Sequence, residues 1–314
     1  MKKVLILLAC AAAIVACSKE EPIAINQGQA ISFSNPFINK VTRAIDYSHT
    51  AMPGEFKIYG TTTGSETGST PVAIYSGETA TKDGSVYSPS TTQYWVDGNK
   101  YAFQAVVKGT IADGKIAYVS NKTDILFANV PEFTCVKNTS PVTCPLTFNH
   151  ILSKVQFIFK NNITDNALYT YKVTGVTING IYTAGDFNVA SGTWAPSGNA
   201  DGTANFGNIS NAEDTADPDE AVVVGNNSYA TSHESLLLIP AEYDNLTISC
   251  TITTYYNGTA IDEESFSVTG FDHEFEKGNA YNFVISKELD SPIKFSATLD
   301  NWTPSTNGAN VDVQ

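Results

Sequence analysis

Apolar residues recur at every second position through much of this chain, and that period decides what it can fold into. Val155, Phe157 and Phe159 alternate with Lys154, Gln156 and Lys160. Tyr281, Phe283 and Ile285 alternate with Asn282, Val284 and Ser286, and Leu246, Ile248, Cys250 and Ile252 are separated by threonine and serine. An extended chain sends successive side chains to opposite faces, so each run buries one face and leaves the other to solvent. No window of about 12 residues carries the apolar stripe of an amphipathic helix.

Between the runs lie Asp83-Gly84, Asp97-Gly98, Asp113-Gly114, Asn179-Gly180 and Asn257-Gly258. These residue types tolerate positive φ and suit tight hairpins. The prediction is an all-β protein made of antiparallel β-sandwiches.

At 314 residues the chain exceeds the usual size of one hydrophobic core, which argues for two domains. Pro141 and Pro145 bracket a loop before a strongly patterned new start at Leu146, so the expected domains are 44–145 and 146–314. The stretch from Pro196 to Glu220, rich in Gly, Asn, Asp and Ala, reads as a long exposed loop within the second.

The first residues read as an export signal. Lys2 and Lys3 precede an apolar run, Val4 to Ala16, that ends in a small residue before Cys17. The run is too short to span a bilayer, which takes roughly 20 residues. Residues 1–16 are expected to be removed and Cys17 lipidated; Cys10, after Leu7-Leu8-Ala9, is a rival site with a shorter apolar run before it. Diacylation would anchor the chain stably, since each buried methylene adds about 0.8 kcal/mol.

The formal charge is −14, and losing Lys2 and Lys3 makes it more negative. Such a balance argues against nucleic acid or an anionic membrane surface as a partner. Cys135 and Cys144 could pair across a short loop, and Cys250 reads as a buried free thiol, but no spacing suggests a metal site. The acidic stretch Glu213–Glu220 lacks the glycine of a calcium loop and reads as solvated.

Enzyme chemistry finds little support, although the many carboxylates leave a glycosidase pair open. His49, His150, His233 and His273 are scattered, with no zinc pattern, and His150 reads as a hydrogen-bonded structural residue. No nucleophile elbow, phosphate loop or cofactor motif is present in the sequence.

The single arginine is Arg43, which follows the strand-like Ile31-Ser32-Phe33. An Arg-specific protease could cut the chain only there, leaving Ala44 as the new N-terminus. Ile31 and Phe33 share a face, so the segment ahead of the cut could lay side chains into a core, and removing it would leave an unpaired sheet edge.

Several segments resemble, in their order, the fimbrillins, the major and minor pilins of Bacteroidales. They are Cys17; Ile31-Ser32-Phe33 then Thr42-Arg43-Ala44; Phe56-Lys57-Ile58-Tyr59-Gly60; Tyr94-Trp95 then Tyr101-Ala102-Phe103; Leu146 through Val155; Leu238-Ile239-Pro240; and Gly278-Asn279-Ala280-Tyr281 then Asn301-Trp302. The resemblance implies two transthyretin-like antiparallel β-sandwich domains in tandem, behind a propeptide, 17–43, that carries a removable first strand. It implies an outer-membrane lipoprotein precursor, cut after Arg43 by an Arg-specific protease. Strand exchange would then assemble it into adhesive fimbriae at the cell surface, as a stalk or tip subunit.

The partners so implied are other pilin subunits, the protease, the outer membrane through the lipid before cleavage, and a host or bacterial surface receptor. No cofactor is implied. Candidate donor residues are Ile293, Phe295 and Leu299, which alternate, and Val311 and Val313, which alternate again; both runs also suit ordinary last strands.

The competing expectation is a surface glycan-binding lipoprotein of a polysaccharide-uptake system. Tyr75, Tyr87, Tyr94, Trp95, Tyr101 and Trp194 would then form a sugar-stacking platform. The ordinary place for such aromatics is a β-sandwich core.

Overall fold

A computed structural model of the chain describes residues 28–34, 53–119, 123–135, 142–210 and 221–301, with the backbone alone at 37–38, 299–301 and 309–311. Cys17, Arg43, Ala44, Val313 and the acidic stretch 213–220 lie outside the described residues. Every described element is a strand.

In the N-terminal half these are β1 (Phe33–Ser34), β2 (Phe37–Ile38), β3 (Glu55–Thr63), β4 (Val72–Asp83), β5 (Val86–Pro89), β6 (Lys100–Val107), β7 (Ile111–Ala112), β8 (Lys115–Val119), β9 (Leu126–Thr134) and β10 (Thr147–His150). Eight of them form one sheet in the order β1-β5-β4-β3-β6-β9-β10-β2. The order begins and ends on one stretch of chain, because Phe33 pairs with Tyr87 while Phe37 pairs with Thr147. The N-terminal segment thus closes the sheet around a core that holds Ile31, Phe33, Phe56, Ile58, Tyr87, Phe103 and Phe148.

The C-terminal half follows as β11 (Ser153–Asn161), β12 (Tyr169–Ile181), β13 (Ala184–Asn188), β14 (Thr193–Ser197), β15 (Gly202–Gly207), β16 (Ser228–Thr231), β17 (Leu236–Leu238), β18 (Ala241–Tyr256), β19 (Thr259–Phe275), β20 (Asn279–Lys287), β21 (Lys294–Asn301) and β22 (Ala309–Val311). One sheet runs β16-β11-β20-β21-β22, with β17 also on β11, and a second runs β15-β12-β18-β19. The alternating faces recognised in the sequence meet here: Val155, Phe157, Phe159, Tyr281, Phe283 and Ile285 from one sheet pack with Ile248, Cys250 and Ile252 from the other.

Two expectations need correction. Pairing is not antiparallel throughout, since β11 and β20 run parallel over eight residue pairs. Between them the chain crosses to the other sheet through β12, β18 and β19 and returns in the same direction, so a tight hairpin cannot join them. Nor is 196–210 an exposed loop: β15 pairs with β12, and Phe206 and Ile209 are fully buried. The polar, glycine-rich composition around them masked two core side chains.

The glycine signals were sound as markers of positive φ, which Gly84, Gly98, Gly114, Gly180 and Gly258 all adopt. At 113–114 and 257–258 the Asp or Asn is positive too, as a two-residue hairpin requires. Asn179-Gly180 instead sits inside β12 at a register shift against β15, a bulge rather than a turn.

The N-terminal sheet runs on through β10 to His150, and the C-terminal sheets begin at Ser153. The halves are stitched by a further four-stranded sheet, β14-β13-β8-β7, in which residues 115–119 pair with 184–188. Under it lies a shared core of Val106, Tyr118, Phe127, Leu152, Phe187 and Ile239. His150 Nδ1 lies 2.6 Å from Asp124 Oδ2 beside this junction, both side chains buried, in keeping with a structural histidine.

Candidate assembly site

The sequence points to the segment ahead of Arg43, and its described part is residues 28–34. This stretch lies between two others. On one side it is antiparallel to 86–95: Ile31 N donates to Gln93 O at 2.8 Å, Trp95 N donates to Gln29 O at 2.9 Å, and Phe33 pairs with Tyr87. On the other it is parallel to 142–148: Cys144 N donates to Ser32 O and Ser34 N donates to Cys144 O, each at 3.2 Å. Its main chain is therefore satisfied from both flanks, as in an inner strand.

Alternation decides which side chains go inward. Ile31 is 3% and Phe33 0% exposed, while Gln29 and Ala30 face solvent. Phe33 meets Phe103 and Phe56 edge-on, with ring centroids 5.1 and 6.1 Å apart. Behind them Phe56 contacts Tyr87 at 5.0 Å and Phe148 at 5.4 Å. Burying one such side chain is worth about 1.5–3 kcal/mol, so these two together contribute on the order of 3–6 kcal/mol.

The entry of the slot is tight and polar. The Gln29 side chain behaves as a strand of its own, its Nε2 donating to Val142 O at 3.4 Å and its Oε1 accepting from Val142 N at 2.9 Å. Trp95 Nε1 also donates to Val142 O, at 3.0 Å. Gly28 presses against the backbone here: a Cβ on it would stand 2.7 Å from Trp95 O, closer than real Cβ atoms come.

Cys144 lines the slot and is fully buried, and burial pushes its thiol up to about 12. Cys135 and Cys250 are free and buried as well. None is poised as a nucleophile, because the thiolate is the reactive form.

The candidate donor residues divide. Ile293 and Phe295 pack on the C-terminal core, Phe295 lying 5.6 Å from Phe283 in a near-parallel stack and 5.7 Å from Phe271. Leu299 pairs with Tyr281 in the ladder that ties β21 to β20 over eight residue pairs. Val311 pairs with Ala297 in β22, an edge strand held by three residue pairs.

The proposed sugar platform does not form. Tyr75, Tyr87, Trp95 and Tyr101 are buried, and Trp194 is packed at the junction with its Nε1 donating to Ile151 O. Of the six, Tyr94 alone is exposed. These rings fill cores because their neighbours, Phe103 and Phe133 among them, surround them on sheet faces.

What sequence reasoning missed was the pair of walls, 86–95 and 142–148. Period two shows which face of a strand is buried but not which strand lies beside it. Gly28 was the available signal, a glycine ahead of an alternating run where a backbone approaches closely.

With this geometry in place, the comparisons decide the family. The fimbrillin-like family model matches residues 42–302. The chain belongs to the fimbrillin-like family. That family is structural and adhesion-related, not enzymatic.

Solved structures share the fold. A fimbrial protein from Bacteroides vulgatus superposes with a TM-score of 0.61 at 14% identity, covering 88% of this chain and 100% of that one. A candidate cell adhesion protein from Bacteroides ovatus gives 0.56 at 16% identity, covering 88% and 99%. One from Bacteroides uniformis gives 0.51 at 19% identity, covering 87% and 99%. No curated protein matches this chain.

Proposed function

We propose that this chain is a pilin subunit, exported as a lipoprotein on Cys17, cut between Arg43 and Ala44, and assembled by strand exchange into adhesive fimbriae at the cell surface. The observation that carries this reading is the placement of residues 28–34. A segment ahead of the single arginine fills an inner-strand position, and its two inward side chains are almost fully buried. Once the peptide bond after Arg43 is cut, no covalent link holds that strand to the rest of the molecule. Its departure would expose two rows of main-chain groups and the pockets of Ile31 and Phe33. A strand from another subunit satisfies the same demands by β-augmentation.

The fimbrial and adhesion relatives support this reading, and other pilin subunits are then the direct partners. Retention of the lipid belongs to the outer-membrane precursor, before the Arg-specific protease acts. A polymerising stalk or tip role fits a chain that carries its own cleavage site, and a surface receptor would be met through the finished fimbria.

The test uses precursor carrying Cys17→Ser, treated with a trace of Arg-specific protease. Sequencing should find Ala44 as the single new N-terminus, and unboiled product should run as a detergent-resistant ladder. Arg43→Lys should abolish both. Resistance at Arg43, or a cut elsewhere, contradicts the reading.

A further inference from the structure

A cleft of about 500 Å³ opens at the junction of the two halves, and none of residues 28–34 lines it. Its volume is within the range of small-ligand sites. Three segments wall it. The first is the β9–β10 pair, where Asn149 stands opposite Phe127, so that Asn129, two residues on, is its diagonal neighbour on the same face. The second is the turn after β13, residues 188–193, and the third is the turn from β19 to β20 around Lys277 and Gly278.

Both turns are held from within. Asn188 Oδ1 accepts from Ala190 N at 2.9 Å and Ser191 N at 3.0 Å, and Gly192 N donates to Asn188 O at 2.8 Å. Gly278, at φ 70°, donates its N–H to Leu152 O at 2.8 Å. Lys277 ties the two turns together: its Nζ donates to Gly192 O and lies 5.7 Å from the centre of the Phe187 ring. A site whose walls are fixed before the ligand arrives loses little in ordering.

The chemistry of the lining narrows the ligand. In a chain of formal charge −14, no aspartate or glutamate lines this cleft. Lys277 makes no ion pair among the described residues, and the adjacent Glu276 is turned to Asn279, whose Nδ2 donates to its Oε2 at 2.7 Å. One ammonium group without a carboxylate calls for a ligand with one negative charge. A phosphate is better met by arginine forks or several cations, and an amino acid would need an acid here for its own ammonium. The carboxamides of Asn129 and Asn149 and the Ser191 hydroxyl both donate and accept, as the hydroxyls of a sugar require. Ile151 and Phe187 supply an apolar floor for the C–H face of a sugar ring.

We infer that this cleft binds a sugar that carries a carboxylate, as uronic and sialic acids do, with the carboxylate on Lys277 and the ring hydroxyls on Asn129, Asn149 and Ser191. The inference deepens the adhesive part of the proposed function by naming the class of receptor group, and it rests on that reading for its use at the cell surface. Repetition of such a site along a fimbria would raise a modest single-site affinity by avidity. The cleft itself is complete in the uncut chain.

The test titrates the methyl glycosides of glucuronic acid, galacturonic acid and N-acetylneuraminic acid, each beside its neutral methyl ester, into uncut precursor carrying Cys17→Ser. Binding is read by ligand-observed NMR. At least one acid should bind, its ester should bind weaker by about tenfold or more, and Lys277→Met should remove the difference between them. Asn129→Ala, at an exposed position on a different element, should weaken acid and ester alike, and it decides the matter if Lys277→Met does not fold. Failure of all three acids to bind, equal binding of acid and ester, or binding unchanged in the variants overturns the inference. None of these outcomes touches the cut after Arg43 or the detergent-resistant ladder, so strand exchange is judged separately.

Discussion

The ring of Phe33 stands edge-on to that of Phe103, centroids 5.1 Å apart and planes at 88°. This contact joins the segment ahead of Arg43 to the central strand β6 and makes the stretch proposed to be removed part of the core. Phe33→Ala should therefore lower the stability of the uncut precursor by about 3–5 kcal/mol. Urea unfolding followed by tryptophan fluorescence would show this as a lower midpoint. In the cut chain that has shed residues before Ala44, the same substitution should leave no trace.

The two halves should behave as one cooperative unit because Phe187 is shared between them. It is 2% exposed and meets Phe127 of the N-terminal sheet at 5.6 Å and Trp194 at 5.5 Å. Phe187→Ala removes the centre of that shared core at a cost of about 3–5 kcal/mol. Calorimetry should resolve its unfolding into two transitions where the parent shows one.

Much of the fold was legible in the sequence, but unevenly. Strands β11, β18 and β20 announced themselves because each buries one face and wets the other. The four-stranded sheet across the junction did not, because residues 115–119 and 184–188 are short and their pairing is set by the packing of two whole halves. The candidate site was half legible. Ile31 and Phe33 were marked as inward-facing by alternation, whereas Val142, Cys144 and Trp95, which hold them, are distant in sequence and carry no pattern that names their partner.

The acid limb of stability should depend on His273. Its ring lies among Phe275, Tyr281 and Phe283, at 4.5, 5.0 and 5.6 Å, and desolvation there lowers its pKa below the ordinary 6.5. Below pH 6.5 the unfolded chain takes up a proton that the folded chain resists. The stabilisation from keeping this ring neutral is therefore complete above pH 6.5 and is lost as pH falls through the lowered folded pKa. Thermal midpoints between about pH 7 and about pH 5 should drop less for His273→Phe than for the parent.

Asp124 should matter through geometry alone. Its carboxylate lies 2.6 Å from His150 Nδ1 in a buried pair beside the junction, so Asp124→Ala should cost about 1–3 kcal/mol through the imidazole left without that partner. Chemical denaturation of the uncut precursor gives the number, and an unchanged midpoint would show that water replaces the carboxylate.

The central claim is that one strand position is filled, emptied and filled again, and Cys144 reports on all three states. It bridges directly to Phe33, is fully buried, and has its thiol pushed up to about 12 by burial. With Cys17, Cys135 and Cys250 replaced by serine, the rate of Cys144 modification by a thiol reagent at neutral pH is the measurement to make. The account predicts protection in the precursor, rapid labelling in monomer cut after Arg43, and renewed protection in the polymer. Equal labelling rates before and after the cut would mean that residues 28–34 never left the slot, and would contradict it.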